Sequence, residues 1–132
     1  MIVVDTSIIV AWLDPQHDQH ALCSAALERW LEAREELVVS NITYAELAAG
    51  GRTRESVDED LLKFAKLLLD WESTWRAGQA FRRWGQATGH GRGKPVLPDF
   101  FIRAQAAVYG LPLLTNDGRR RTAFPEVDFL LV

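Results

Sequence analysis

The chain has 132 residues, 48% hydrophobic and 25% charged, a make-up that fits one globular domain and excludes long disorder or coiled coil. A single cysteine, Cys23, excludes a disulfide framework and a thiolate zinc site. The net charge of −3, taken whole, argues against a generic nucleic-acid binder, which would show a basic balance.

In chain order, Met1-Ile2-Val3-Val4-Asp5 lacks the basic first region of a signal peptide, and Ile2-Val3-Val4 reads as a short buried strand. No apolar run approaches the ~18 residues that span a bilayer, so the expectation is a soluble, cytoplasmic protein with no membrane partner. Ser7 to Leu13 reads as a short helix and Pro15 to Asp18 as a loop. Ala21 to Glu36 is helical, with Leu22, Ala25, Ala26, Leu27, Trp30 and Leu31 forming an apolar stripe. Cys23, in that helix, reads as a small buried residue rather than a nucleophile. Leu37-Val38-Val39-Ser40 is a second strand, and Ile42 to Ala49 a helix closed by Gly50-Gly51.

Ser56 with Glu59 resembles a capping box, which predicts a helix from there through Leu69. Thr74 to Thr88 is helical, with Ala77, Ala80, Phe81, Trp84 and Ala87 on the apolar side and Arg76, Gln79, Arg83 and Gln86 opposite. A glycine-rich loop, Gly89 to Lys94, follows; it lacks the spacing and the Ser or Thr of a P-loop. Pro98-Asp99 opens a helix running to Tyr109 with Gly110 as its stop. Leu111 to Thr115 is a third strand and Val127 to Val132 a fourth. Strands alternating with helices predict an α/β three-layer sandwich, a single domain over residues 1–132, with a mainly parallel central sheet of about four to five strands.

Four carboxylates fall at related places in this layout. Asp5 ends the first strand, and Glu46 lies in the helix after the second. Asp99 opens the helix after Pro98, and Asp117 follows the third strand. In open parallel sheets the carboxyl ends of the strands share one edge, where ligands bind, so the four acids converge there. Singly, each could be a helix cap or a turn residue. Together, with no basic residue adjacent to Asp5, Glu46 or Asp99, they read as a site whose mutual repulsion calls for a cation. Carboxylates without histidine or cysteine suit a hard ion, Mg²⁺ or Mn²⁺. On this reading, Asp99→Asn raises the stability of the metal-free protein.

The same residues carry a resemblance. Asp5-Thr6-Ser7 after a short apolar strand, Thr43-Tyr44-Ala45-Glu46-Leu47, Pro98-Asp99-Phe100-Phe101-Ile102 and Leu113-Leu114-Thr115-Asn116-Asp117 resemble the PIN domain. Within it they are most similar to VapC-type toxins of bacterial toxin–antitoxin pairs. The resemblance implies a PIN-like fold and a Mg²⁺-dependent ribonuclease. It makes Asp5 and Asp99 the central metal ligands, with Glu46 and Asp117 completing the quartet and Thr6 and Thr115 supporting it. It further implies a homodimer and a cognate antitoxin. Asn116 stands where many relatives carry a basic residue. The alternative is a catalytically inactive PIN-like module that binds RNA or protein. A haloacid-dehalogenase phosphatase also starts with an aspartate after strand one but needs a second two residues on, where this chain has Ser7.

The charge is unevenly spread. Met1 to Trp75 holds 14 acids and 6 bases, a balance of −8, while Arg76 to Val132 holds 4 acids and 9 bases, a balance of +5. The basic rear makes Arg82, Arg83, Arg92, Lys94 and Arg119 candidate RNA contacts. His17 and His20 read as exposed residues rather than ligands, and His90 lies in the glycine loop. Trp71, Trp75 and Trp84 cluster in the middle helices, where exposed members suit a dimer or antitoxin surface.

Overall fold

A computed structural model describes residues 1–91 and 93–132. Among them run five strands, β1 (Ile2–Val4), β2 (Leu37–Ser40), β3 (Ala65–Leu67), β4 (Leu113–Thr115) and β5 (Phe129–Leu131). The helices are α1 (Thr6–Leu13), α2 (His20–Glu32), α3 (Asn41–Ala49), α4 (Arg54–Asp60), α5 (Trp71–Thr88) and α6 (Pro98–Tyr109). The strands form one sheet in the order β3-β2-β1-β4-β5, and every pairing is parallel.

The central strands are buried on both faces, which is why β1, β2 and β4 are written in Ile, Val and Leu without polar alternation. Alternate side chains of β1 feed two cores. Ile2 and Val4 pack with Ile8, Ile9, Leu27 and Leu47 from α1, α2 and α3, whereas Val3 packs with Ala77, Ala80 and Phe81 of α5 and with Phe100 and Ile102 of α6. Helices on both sheet faces make the expected three layers. The order also fixes where a site can form: β2 and β3 lie on one side of β1, β4 and β5 on the other. The β1–β4 boundary is the switch point at which the connections diverge and leave a crevice at the strands' carboxyl ends.

Local signals account for most boundaries. Ser40 caps α3 by accepting from the Ile42 amide at 3.0 Å, Asp70 caps α5 from the Ser73 amide at 2.7 Å, and Gly110 ends α6 in the left-handed conformation at φ 64°. The helix expected from Ser56 through Leu69 is corrected. Thr53 is the cap, accepting from the Ser56 amide, and α4 ends at Asp60. Burial of Val57, Leu61 and Phe64 turns the chain back onto the core, and Ala65-Lys66-Leu67 then pairs with β2 as an edge strand with Lys66 exposed. The helix expected to reach Glu36 stops at Glu32, followed by Arg34 at φ 60°. Among the described residues, no helix is long and apolar enough to cross a membrane.

Candidate active site

Asp5, Glu46, Asp99 and Asp117 line one cleft of about 430 Å³ together with Thr6, Ser7, His17, Asn116, Arg119 and Arg120. Asp5 leaves β1 and Asp117 follows β4, on the two sides of the switch point; α3 brings Glu46 and the first turn of α6 brings Asp99. Capping does not explain three of the four. Asp5 stands at the N-cap of α1 without a side-chain capping bond, Ser40 rather than Thr43 caps α3, and Leu97 precedes α6. Asp117 does have a turn role, its Oδ1 accepting from the Arg119 amide at 2.9 Å.

Hydroxyl groups hold one side of the cleft. Thr115 donates to Asp5 Oδ2 at 2.7 Å, and Thr6 donates to Glu46 Oε1 at 2.8 Å while meeting the Thr43 hydroxyl at 2.9 Å. Asp5 is only 4% exposed. Burial raises its pKa above the ordinary carboxylate value, against the opposing pull of Arg103 and Thr115. Burial likewise raises the pKa of Glu46, and the charges of Asp5 and Asp99 push it the same way.

The other side is held by arginine. Arg103, fully buried one helical turn after Asp99, lies 3.5 Å from Asp5 Oδ2 and 3.6 Å from Asp99 Oδ2 and donates to the Asp117 carbonyl at 3.0 Å. Arg120 pairs with Asp99, and Arg119 forks onto both oxygens of Asp117. The Arg119 hydrogen bonds hold the Asp117 carboxyl down at about 2. The reading of Asp5, Glu46 and Asp99 as acids without cationic neighbours, drawn from sequence adjacency, is therefore corrected for Asp5 and Asp99. With it falls the inference that Asp99→Asn stabilises the metal-free protein, because that change would strip a counter-charge from two arginines. Sequence adjacency missed Arg103, although its i+4 spacing from Asp99 was the readable signal. Nothing local marks Arg120.

The cleft is lined by four carboxylates and the hydroxyl-bearing Thr6 and Ser7, oxygen donors that suit a hard divalent cation. Among the described residues, no three Asp, Glu, His or Cys side chains stand close enough together to hold a metal ion. Of the other candidates, Arg119 lies at the cleft, whereas Arg82 and Lys94 line a separate groove of about 660 Å³ beside Phe81 and Gly91. Arg83 is exposed on α5, and Arg92 lies outside the described residues. His17 and His20, expected to be exposed, are half-buried instead: His17 lines the cleft, and His20 meets the Ala11 carbonyl at 2.9 Å. Exposed His90 sits edge-on to Trp84. Cys23 is fully buried, and Trp71 and Trp75 stand exposed on α5.

Solved structures share this architecture. A chain of VapBC2 from Rickettsia felis, bound to a DNA fragment from its promoter, is 19% identical with a TM-score of 0.72, covering 100% of this chain and 99% of that one. FitAcB from Neisseria gonorrhoeae is 25% identical with a TM-score of 0.67, covering 98% and 96%. VapC20 from Mycobacterium tuberculosis, a sarcin-ricin loop cleaving toxin, is 19% identical with a TM-score of 0.59, covering 97% and 99%. No curated protein matches the chain. The PIN domain family model matches residues 2–130, nearly the full length, and the chain belongs to the PIN domain family.

Proposed function

We propose that this PIN domain is a Mg²⁺-dependent endoribonuclease, the toxin of a toxin–antitoxin pair, which hydrolyses RNA phosphodiester bonds in the four-carboxylate cleft. The observation that carries the reading is the meeting of Asp5, Glu46, Asp99 and Asp117 in one cleft at the switch point of a parallel sheet. The VapBC and FitAB chains that share the fold support a cognate antitoxin, and VapC20 supports RNA as the substrate. A homodimer in the cytoplasm completes the proposal.

Asp5 and Asp99 are the central ligands for Mg²⁺, or Mn²⁺ in its place, with Glu46 and Asp117 completing the set. A divalent ion held there would supply Lewis-acid chemistry, lowering the pKa of a water and offsetting negative charge on the phosphoryl oxygens. The chain's own groups do the rest. Thr115 fixes the Asp5 carboxylate, and Thr6 fixes the Glu46 carboxylate through Oε1. Burial makes Glu46 a better proton acceptor than an exposed glutamate. Arg119, which lines the cleft, supplies a cation for the phosphate oxygens.

One observation favours the second reading, an inactive PIN-like module that binds RNA or protein. Three arginines already neutralise three of the acids. Sequencing RNA 5′ ends after induced expression separates the two. Cleavage predicts new ends with the wild-type chain and none with Asp5→Ala; identical end profiles for both chains would leave the binding module standing.

A further inference from the structure

Arg120 is hard to account for by folding alone. Its backbone sits in the left-handed region at φ 65°, which costs a non-glycine residue energy and persists only where surrounding contacts enforce it. An exposed turn at such a position favours Gly or Asn. Here the guanidinium turns inward instead, with 14% of the side chain exposed, 5.2 Å from the Trp84 ring and 5.3 Å from Phe100. It ends in an ion pair with Asp99, and its buried Nε has no hydrogen-bond partner among the described residues.

Asp99 already faces Arg103 at 3.6 Å, so one carboxylate has two guanidinium partners, whereas Glu46 across the cleft is met by the Thr6 hydroxyl. The two arginines also differ in freedom. Arg103 is fully buried in the middle of α6. Arg120 lies between β4 and β5, outside the strands and helices α1 to α6, and lines the cleft with part of its side chain exposed.

We propose that Arg120 is a resident cation that holds Asp99 until a divalent ion takes that carboxylate, and that the displaced guanidinium then pairs with a phosphate of the bound RNA. This rests on reading the cleft as a cation and RNA site. Asp99 cannot serve both cations fully, so the two oppose each other there. A phosphate offers the guanidinium fork a bidentate partner in exchange. Ion and RNA therefore bind cooperatively through one side chain.

The test compares the wild type with Arg120→Gly and Arg120→Gln. Glycine adopts φ 65° without strain, so Arg120→Gly preserves the turn. Calorimetric titration with Mn²⁺ should show binding roughly tenfold tighter in both variants, the coupling expected between ligands that share a carboxylate. Anisotropy of a fluorescein-labelled single-stranded RNA should show that Ca²⁺, added over EDTA, strengthens binding to the wild type far more than to the variants. Mn²⁺ affinity that is unchanged or weakened in both variants overturns the proposal, as does an RNA gain equal to that of the wild type. Failure of Mn²⁺ to bind any of the three proteins removes the cation-site reading itself, and this proposal with it.

Discussion

The two halves of the acidic cleft solve the same electrostatic problem differently. On the α1–α3 side, half-buried Glu46 accepts from a threonine hydroxyl, and its partial burial pushes its pKa up. On the α6–β4 side, Asp99 and Asp117 are met by arginines, and Asp117 is held down at about 2. Asp5 sits between them, with Thr115 and Arg103 on the same oxygen. A hydroxyl lowers the cost of a buried charge without cancelling it, whereas a guanidinium cancels it. The unneutralised charge of the cleft is thus concentrated on the Glu46 side, while the opposite wall is stable without any added ion.

That contrast breaks most visibly at Arg103. Arg103→Met leaves Asp5 buried without its cation and frees the Asp117 carbonyl, and should cost about 3–5 kcal/mol of unfolding free energy in urea denaturation. Asp99→Asn removes a shared counter-charge from Arg103 and Arg120 and should lower stability by about 1–2 kcal/mol. An increase would restore the picture of uncompensated acids. The pH dependence sharpens the same point. Asp117 titrates below its unfolded value of 3.8, so its contribution is present above that pH and is lost as pH falls toward about 2. Asp117→Asn should flatten this part of the acid limb.

Glu46 has the opposite sign. Its folded pKa is raised, so its charge costs stability at neutral pH, and the cost disappears as pH falls through the folded value. Glu46→Gln should therefore stabilise the metal-free protein at neutral pH by less than about 1 kcal/mol, an effect read from the thermal midpoint. Equal responses of Glu46→Gln and Asp99→Asn would erase the distinction between the halves.

The sequence made the strands of the sheet centre readable because buried parallel strands need no polar alternation, as Ile2-Val3-Val4 and Leu37-Val38-Val39 show. Asp5, Asp99 and Asp117 were readable because each sits beside a strand end or helix start, and Glu46 because it lies on the helix that follows β2. β3 was hidden: Ala65-Lys66-Leu67 is a short, half-exposed edge strand with no apolar run, and its place depends on pairing with β2. Arg103 could have been found from helical spacing. Arg120 meets Asp99 across 21 positions of chain, through packing on Trp84 and Phe100 that no local pattern encodes.

The most direct test of the four-carboxylate site is single-turnover cleavage of an end-labelled RNA by the purified chain, with Mg²⁺ and with EDTA, beside Asp5→Ala. Cleavage that requires Mg²⁺ and falls by orders of magnitude in Asp5→Ala is the predicted result. Cleavage that persists in EDTA, or that Asp5→Ala leaves intact, would contradict the account.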